Sequence, residues 1–251
     1  MESNSVLIDE QSISLPQAFT YLQVAGKLQG FITEILRQHV IANEFQTRDD
    51  LAIDPFLVEQ ALVNFRVERQ LIDSKVFQAW LESNGPVYTG YRAQTVYRLK
   101  LEKLKALVTE PRLQEYFFER KIFLDHVVLS QIVVDDLELA EELQSQILEG
   151  NAAFEQLARE YSLAEDRIVN GMMGPISRGR LNDALRSVID SVSPGNVVGP
   201  IKIKELYCLF RVEQFLPATL EGKLRSQLQN EIFEQWLAEK MQKLNVKVQG
   251  N

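Results

Sequence analysis

One cysteine, Cys208, and two histidines, His39 and His126, are all that 251 residues hold of two residue types central to disulfide and metal chemistry. A single thiol cannot close an intrachain disulfide, so folding needs no oxidising compartment. One cysteine and two distant histidines also form no metal-binding pattern, and neither metal nor cofactor is expected. No stretch approaches the ~20 apolar residues a membrane-spanning helix requires. Positive charge is in the minority: 27 Lys and Arg stand against 35 Asp and Glu, a formal charge of −8. A nucleic-acid surface needs clustered cations to displace phosphate counterions, so that class of partner is excluded, and acidic clients are disfavoured. The start, Met1-Glu2-Ser3-Asn4-Ser5, lacks the basic and apolar regions of a secretory leader. The expectation is a cytoplasmic protein, or an extracytoplasmic one whose leader has been removed.

Helical periodicity fills the first half. Phe31, Ile32, Ile35, Leu36 and Val40 follow the i, i+3, i+4 spacing of a half-buried helix, and Asp54-Pro55 pairs an N-cap with proline at the first helical position. Asp73 can cap a helix carrying Val76, Phe77, Trp80 and Leu81, with Asn84-Gly85-Pro86 as its stop. Tyr97 to Leu107 continues the pattern, and Thr109-Glu110-Pro111 opens another helix through Phe117. Residues 13–120 show no strand signal. From Phe123, β-branched residues take over through Val134. After Pro217 the helical period returns with Leu220, Leu224, Leu228, Ile232 and Trp236, a stripe too apolar to stay unpacked, and the first half is its natural partner. The reading is an α+β protein: a helical body over 1–121, a sheet-bearing segment over 122–216, and a helix over 217–251 that packs back on the first part.

Between Lys121 and Leu216 the chain is punctuated in a particular order. The strand Phe123 to Val134 leads to a helix-patterned stretch ending at Gly150, then Phe154-Glu155-Gln156-Leu157-Ala158, Tyr161-Ser162, Gly171-Met172-Met173-Gly174-Pro175-Ile176-Ser177-Arg178-Gly179-Arg180, Ser193-Pro194-Gly195, Gly199-Pro200 and a strand from Leu206 to Val212. This order resembles a parvulin-type peptidyl-prolyl isomerase domain, and the helical flanks resemble the SurA- and PrsA-like foldases, in which such a domain is inserted in a helical chaperone body.

The resemblance implies an antiparallel sheet flanked by helices and a site built from two neighbouring histidines, an acid or cysteine, a hydroxyl and an apolar pocket. Here Gln131 and Cys208 stand at the histidine positions, Ala164 at the acid or cysteine position, and Ile203 and Glu205 at the hydroxyl positions. The pocket pair maps onto Leu181 and Leu185, with Met173 nearby, and i, i+4 spacing would put the two leucines on one helical face. A leucine pair so spaced serves equally as core, and an isolated cysteine in an apolar strand is most often a buried small hydrophobe rather than a nucleophile. Three readings follow. The chain is a prolyl isomerase and foldase acting on peptide or unfolded clients; or a non-catalytic binder of extended, proline-containing segments; or a spacer in a peptide-modifying or exporting assembly. Client contact is expected mainly in the helical body, with Tyr88 and Tyr91, beside Gly85-Pro86 and Gly90, as aromatic anchors.

Overall fold

A computed structural model describes residues 5–246; residues 1–4, on which the leader reading rests, and 247–251 lie outside the described residues. The chain divides into two compact units, one comprising residues up to Leu113 and from Ser226 on, the other Gln114–Arg225.

Unit one opens with a hairpin that the sequence reading missed, β1 (Ser5–Ile8) and β2 (Gln11–Ser14). Asp9 and Glu10 both turn with positive φ, at 44° and 67°, the geometry of the tightest hairpin turns. Asp-Glu is not the Asn-Gly or Asp-Gly pair that announces such a turn, which is why it escaped notice. Helices follow: α1 (Leu15–Val24), α2 (Leu28–Thr47), α3 (Pro55–Glu68) and α4 (Ser74–Leu124). Polar caps begin several of them. The Asp54 carboxylate accepts the Phe56 N–H at 2.9 Å, and Asp73 accepts those of Lys75 and Val76 at 2.8 and 3.1 Å.

One helical segment ends at Asn84-Gly85-Pro86, as expected, and the next begins at once across a kink, whereas no new helix opens at Pro111. Both prolines lie within α4, which departs from helical geometry only at Asn84 (φ −128°, ψ 16°). That kink makes Pro86 an early residue of the following helical segment, where its missing N–H costs little, while the Asn84 amide donates to the Trp80 carbonyl at 3.0 Å. At Pro111 one backbone hydrogen bond is forfeited. Burial of Leu104 and Leu113 on either side of it outweighs that loss.

The final helix, α8 (Gly222–Gln242), supplies Phe233 and Leu237 to a core with Val40, Ile41, Leu51 and Leu104. Arg37 donates two hydrogen bonds to Glu234, at 2.5 and 2.7 Å, and Lys240 donates to Glu44 at 2.7 Å. A second aromatic group gathers Tyr88, Tyr91, Phe77 and Trp80 around Phe65. Tyr88 and Tyr91 are half-buried helix residues, not flanks of a turn, because the helical segment that opens after the Asn84 kink runs on through Gly90.

Unit two is a four-stranded antiparallel sheet in the order β4-β3-β6-β5, formed by β3 (His126–Val134), β4 (Met172–Ser177), β5 (Val197–Ile203) and β6 (Leu206–Leu216). Three helices cover it, α5 (Leu137–Leu148), α6 (Phe154–Tyr161) and α7 (Asp183–Asp190). Alternation along β3 sends Ile132 and Val134 into a core with α5 and α6, while Val127, Leu129 and Val133 enter another with α7.

Asp125, between α4 and β3 and 6% exposed, clasps the chain where it enters and leaves the sheet. Its carboxylate accepts from the Lys121 ammonium, from the Ala218 N–H at 2.8 Å just beyond β6, and from Arg178 at 3.4 Å. Burial alone would raise its pKa, but these donors and the two cations hold it below the ordinary aspartate range. Replacing Asp125 with Ala orphans the Ala218 N–H and should cost roughly 1–3 kcal/mol, read by denaturant unfolding followed by circular dichroism. A depressed folded pKa means the stabilisation is present above the unfolded value of about 3.9 and lost as pH falls below it. The gap between wild type and D125A should therefore be full at neutral pH and narrow below about pH 4. In unit one, Leu237→Ala empties a fully buried site and should cost about 2–5 kcal/mol in the same measurement.

Candidate functional site

The two central strands bring the positions singled out in the sequence onto one face. Val133 pairs with Cys208 and Gln131 with Phe210, so Gln131 and Cys208 are diagonal neighbours on the same side of the sheet, a relation that puts Cα atoms roughly 7–8 Å apart. Cys208, Leu185, Phe210 and Val133 belong to one apolar cluster, with Leu181, Ala164 and Ile203 packed against it. Leu181 arrives by a route other than the expected helical face. It is extended (φ −71°, ψ 140°) and lies ahead of the N-cap Asn182, whose side chain accepts the Leu185 N–H at 2.8 Å.

Cys208 and Leu185 are 5% and 6% exposed, forming a floor, while Gln131 and Leu181 are partly exposed. Burial pushes the Cys208 thiol up, which keeps it protonated and unsuited to nucleophilic attack. Two further positions lie apart. Glu205 follows Lys204 in the turn between β5 and β6 and is almost fully exposed, its carboxylate 4.0 Å from Lys202. Because the turn carries it past the strand end, it is not brought to Gln131 and Cys208. Met173, on edge strand β4, is 37% exposed beside a register shift between Leu129 and Ser130. His126 begins β3, with Nδ1 2.8 Å from the Leu124 carbonyl.

Two polar residues escaped the sequence reading as site members. The buried Ser162 hydroxyl accepts the Val133 N–H at 3.1 Å and the Ala164 N–H at 3.3 Å, and the Leu163 N–H donates to the Val133 carbonyl at 2.7 Å. These bonds moor the loop that places Ala164. Two residues beyond Ala164, the Asp166 carboxylate accepts from Gln131 Nε2 at 2.7 Å. Gly171 completes the mooring: its carbonyl accepts the Gln131 N–H at 2.8 Å, its φ is +77°, and a Cβ there would stand 2.2 Å from the Gln131 carbonyl oxygen. Only glycine fits. The one signal for Asp166 was its nearness in sequence to Tyr161-Ser162. Position alone could not tell which residue of that loop turns inward.

The arrangement offers an oriented carboxamide above an apolar floor, with neither imidazole nor thiolate. Residues 135–214 match the family model of the PPIC-type PPIase domain, or rotamase. Foldase protein PrsA 1 of Listeria innocua is 28% identical over 137 residues, which cover 52% of this chain and 45% of that protein; PrsA 1 of Listeria monocytogenes gives the same figures. The chain thus spans about half the length of the curated relatives it matches. Among solved structures, PrsA from Bacillus cereus is 17% identical with a TM-score of 0.41, covering 100% of this chain and 95% of that one. PrsA from Bacillus subtilis is 20% identical with a TM-score of 0.34, covering 100% and 96%. Among the described residues no helix is long and apolar enough to cross a membrane. The family match makes residues 135–214 part of a parvulin-type PPIase domain, whose sheet and covering helices are those of unit two, in a chain similar over 137 residues to PrsA foldases.

Proposed function

We propose that the protein is a foldase for peptide or unfolded clients whose parvulin domain isomerises X-Pro bonds slowly. The observation that carries this is the Gln131 carboxamide, fixed at 2.7 Å by Asp166 beside the Cys208 and Leu185 floor. Isomerisation needs no covalent chemistry. Its barrier of about 20 kcal/mol falls when the proline is held on an apolar surface and polar groups favour the twisted amide over the planar one. A fixed amide can supply part of that preference; two imidazoles would supply more. A second reading, peptide binding without turnover, draws support from the burial of Cys208 and Leu185, which leaves little floor open to a proline ring. Since no disulfide is needed, the same chain can work on either side of a membrane.

A prolyl isomerase assay on a panel of X-Pro peptides, beside a binding titration with the same peptides, separates the two. Slow turnover that saturates at the binding concentration supports the foldase; binding with no turnover supports the adaptor. Cys208→Ala should leave the isomerase rate close to wild type, because a protonated, buried thiol acts only by filling space. Loss of all activity with fold and peptide affinity intact would overturn that account.

Client contact in the helical unit centres, on this reading, on Tyr88 and Tyr91. Tyr91→Ala should weaken binding of an unfolded client measured by titration, while X-Pro turnover of a short peptide stays unchanged. Because the ring packs on Phe65 at 4.3 Å, the melting temperature has to be read alongside. Unaltered affinity in a folded variant would remove this residue from the contact surface.

A further inference from the structure

Asp166 is an unusual residue for its place. Its one side-chain hydrogen bond among the described residues is that with Gln131, and its Oδ1 atom is buried without a partner there. No cation pairs with it among the described residues. A partly buried carboxylate in that condition costs stability rather than adding to it, so packing does not account for it. The pairing also settles the orientation of the amide. A carboxylate only accepts, so Nε2 of Gln131 must face it, leaving the second Nε2 proton and Oε1 directed elsewhere. Gln131 is held a second time through its backbone N–H, which donates to the Gly171 carbonyl.

The chemistry of the twisted bond shows what such a donor would do. In a planar X-Pro amide the nitrogen lone pair is delocalised and accepts no hydrogen bond. As the bond rotates, the nitrogen becomes pyramidal and basic, and an N–H placed beside it binds the twisted form selectively. Resting on the isomerase reading above, we infer that Asp166 is a positioning residue, which aims the free Nε2 proton of Gln131 at the nitrogen of the rotating X-Pro bond. The surrounding loop fits a client whose proline has apolar neighbours. Leu163, Ile168, Val169 and Met172 are each more than half exposed on a segment tied to β3 at Val133, Gln131 and Ser130.

The experiment uses the full chain and a short X-Pro peptide with an apolar residue before the proline. Asp166→Ala frees the amide to rotate and should lower kcat about tenfold, the worth of one well-placed hydrogen bond, with peptide Kd nearly unchanged. Asp166→Asn keeps an acceptor for Nε2 and should recover most of the rate. In a Gln131→Ala background, Asp166→Ala should have no further effect on kcat; a merely structural role would still lower it. Independently of turnover, the Gln131 side-chain amide proton bonded to Asp166 should exchange slowly by NMR in the wild type and in Asp166→Asn, and quickly in Asp166→Ala. A Gln131 amide that exchanges freely in the wild type overturns the positioning role, as does an Asp166→Ala protein of unchanged kcat. A protected Gln131 amide in a protein that turns over no X-Pro peptide would sink the isomerase reading and with it the aim at the nitrogen, while leaving the contact itself intact.

Discussion

The pairing of β3 with β6 is the constraint on which unit two depends. It is the central pair of the sheet, and its register decides which side chains face α7 and which face α5 and α6. A slip by one residue would exchange the faces, moving Gln131 and Cys208 away from the site and carrying Ile132 and Leu209 out of their core. Two devices oppose it. Apolar alternation is one. The other is a charged lock at the register shift between Val128 and Leu129: Glu213 accepts from the buried Ser130 hydroxyl at 2.6 Å and from Arg211 at 2.7 Å, and Arg211 also reaches Glu155 on α6 at 2.7 Å. The Arg211 guanidinium lies over the Phe154 ring as well, 4.6 Å from its centroid. Slipping the strand would break this lock and bury its charges unpaired.

Local chemistry made much of the fold legible. The change to β-branched residues anticipates β3, although α4 runs on through Leu124 so that the strand opens at His126 rather than Phe123, and Asp54 and Asp73 cap the helices they were expected to cap. What stayed hidden was set by tertiary context. Pro111 carries the same local signal whether a helix ends there or runs through, and only the burial of its neighbours decides. Asp-Glu in the β1–β2 turn has no marked preference for positive φ, so the hairpin had no announcing pair.

Within the site, a strand position is read more surely than a loop position. Gln131 and Cys208 sit on strands, where alternation and antiparallel pairing restrict the possible neighbours. Glu205 and Asp166 sit in connections, and one residue more or less in a turn redirects every side chain after it. Ala164 packs into the apolar cluster, while the contact with Gln131 passes to a carboxylate two places on. No count along Tyr161-Ser162 could have revealed that transfer, because it depends on the short 3₁₀ turn over Glu165–Val169 and the left-handed Asn170 that closes it.

Cys208 has a consequence of another kind. Thiol oxidation proceeds through the thiolate and needs access, so a neutral sulfur on a strand floor at 5% exposure reacts slowly with peroxides and with oxidised small thiols. A site that relied on an ionised cysteine would be silenced by such oxidants. Here the sulfur serves as a filler of fixed volume and offers such an oxidant no exposed thiolate.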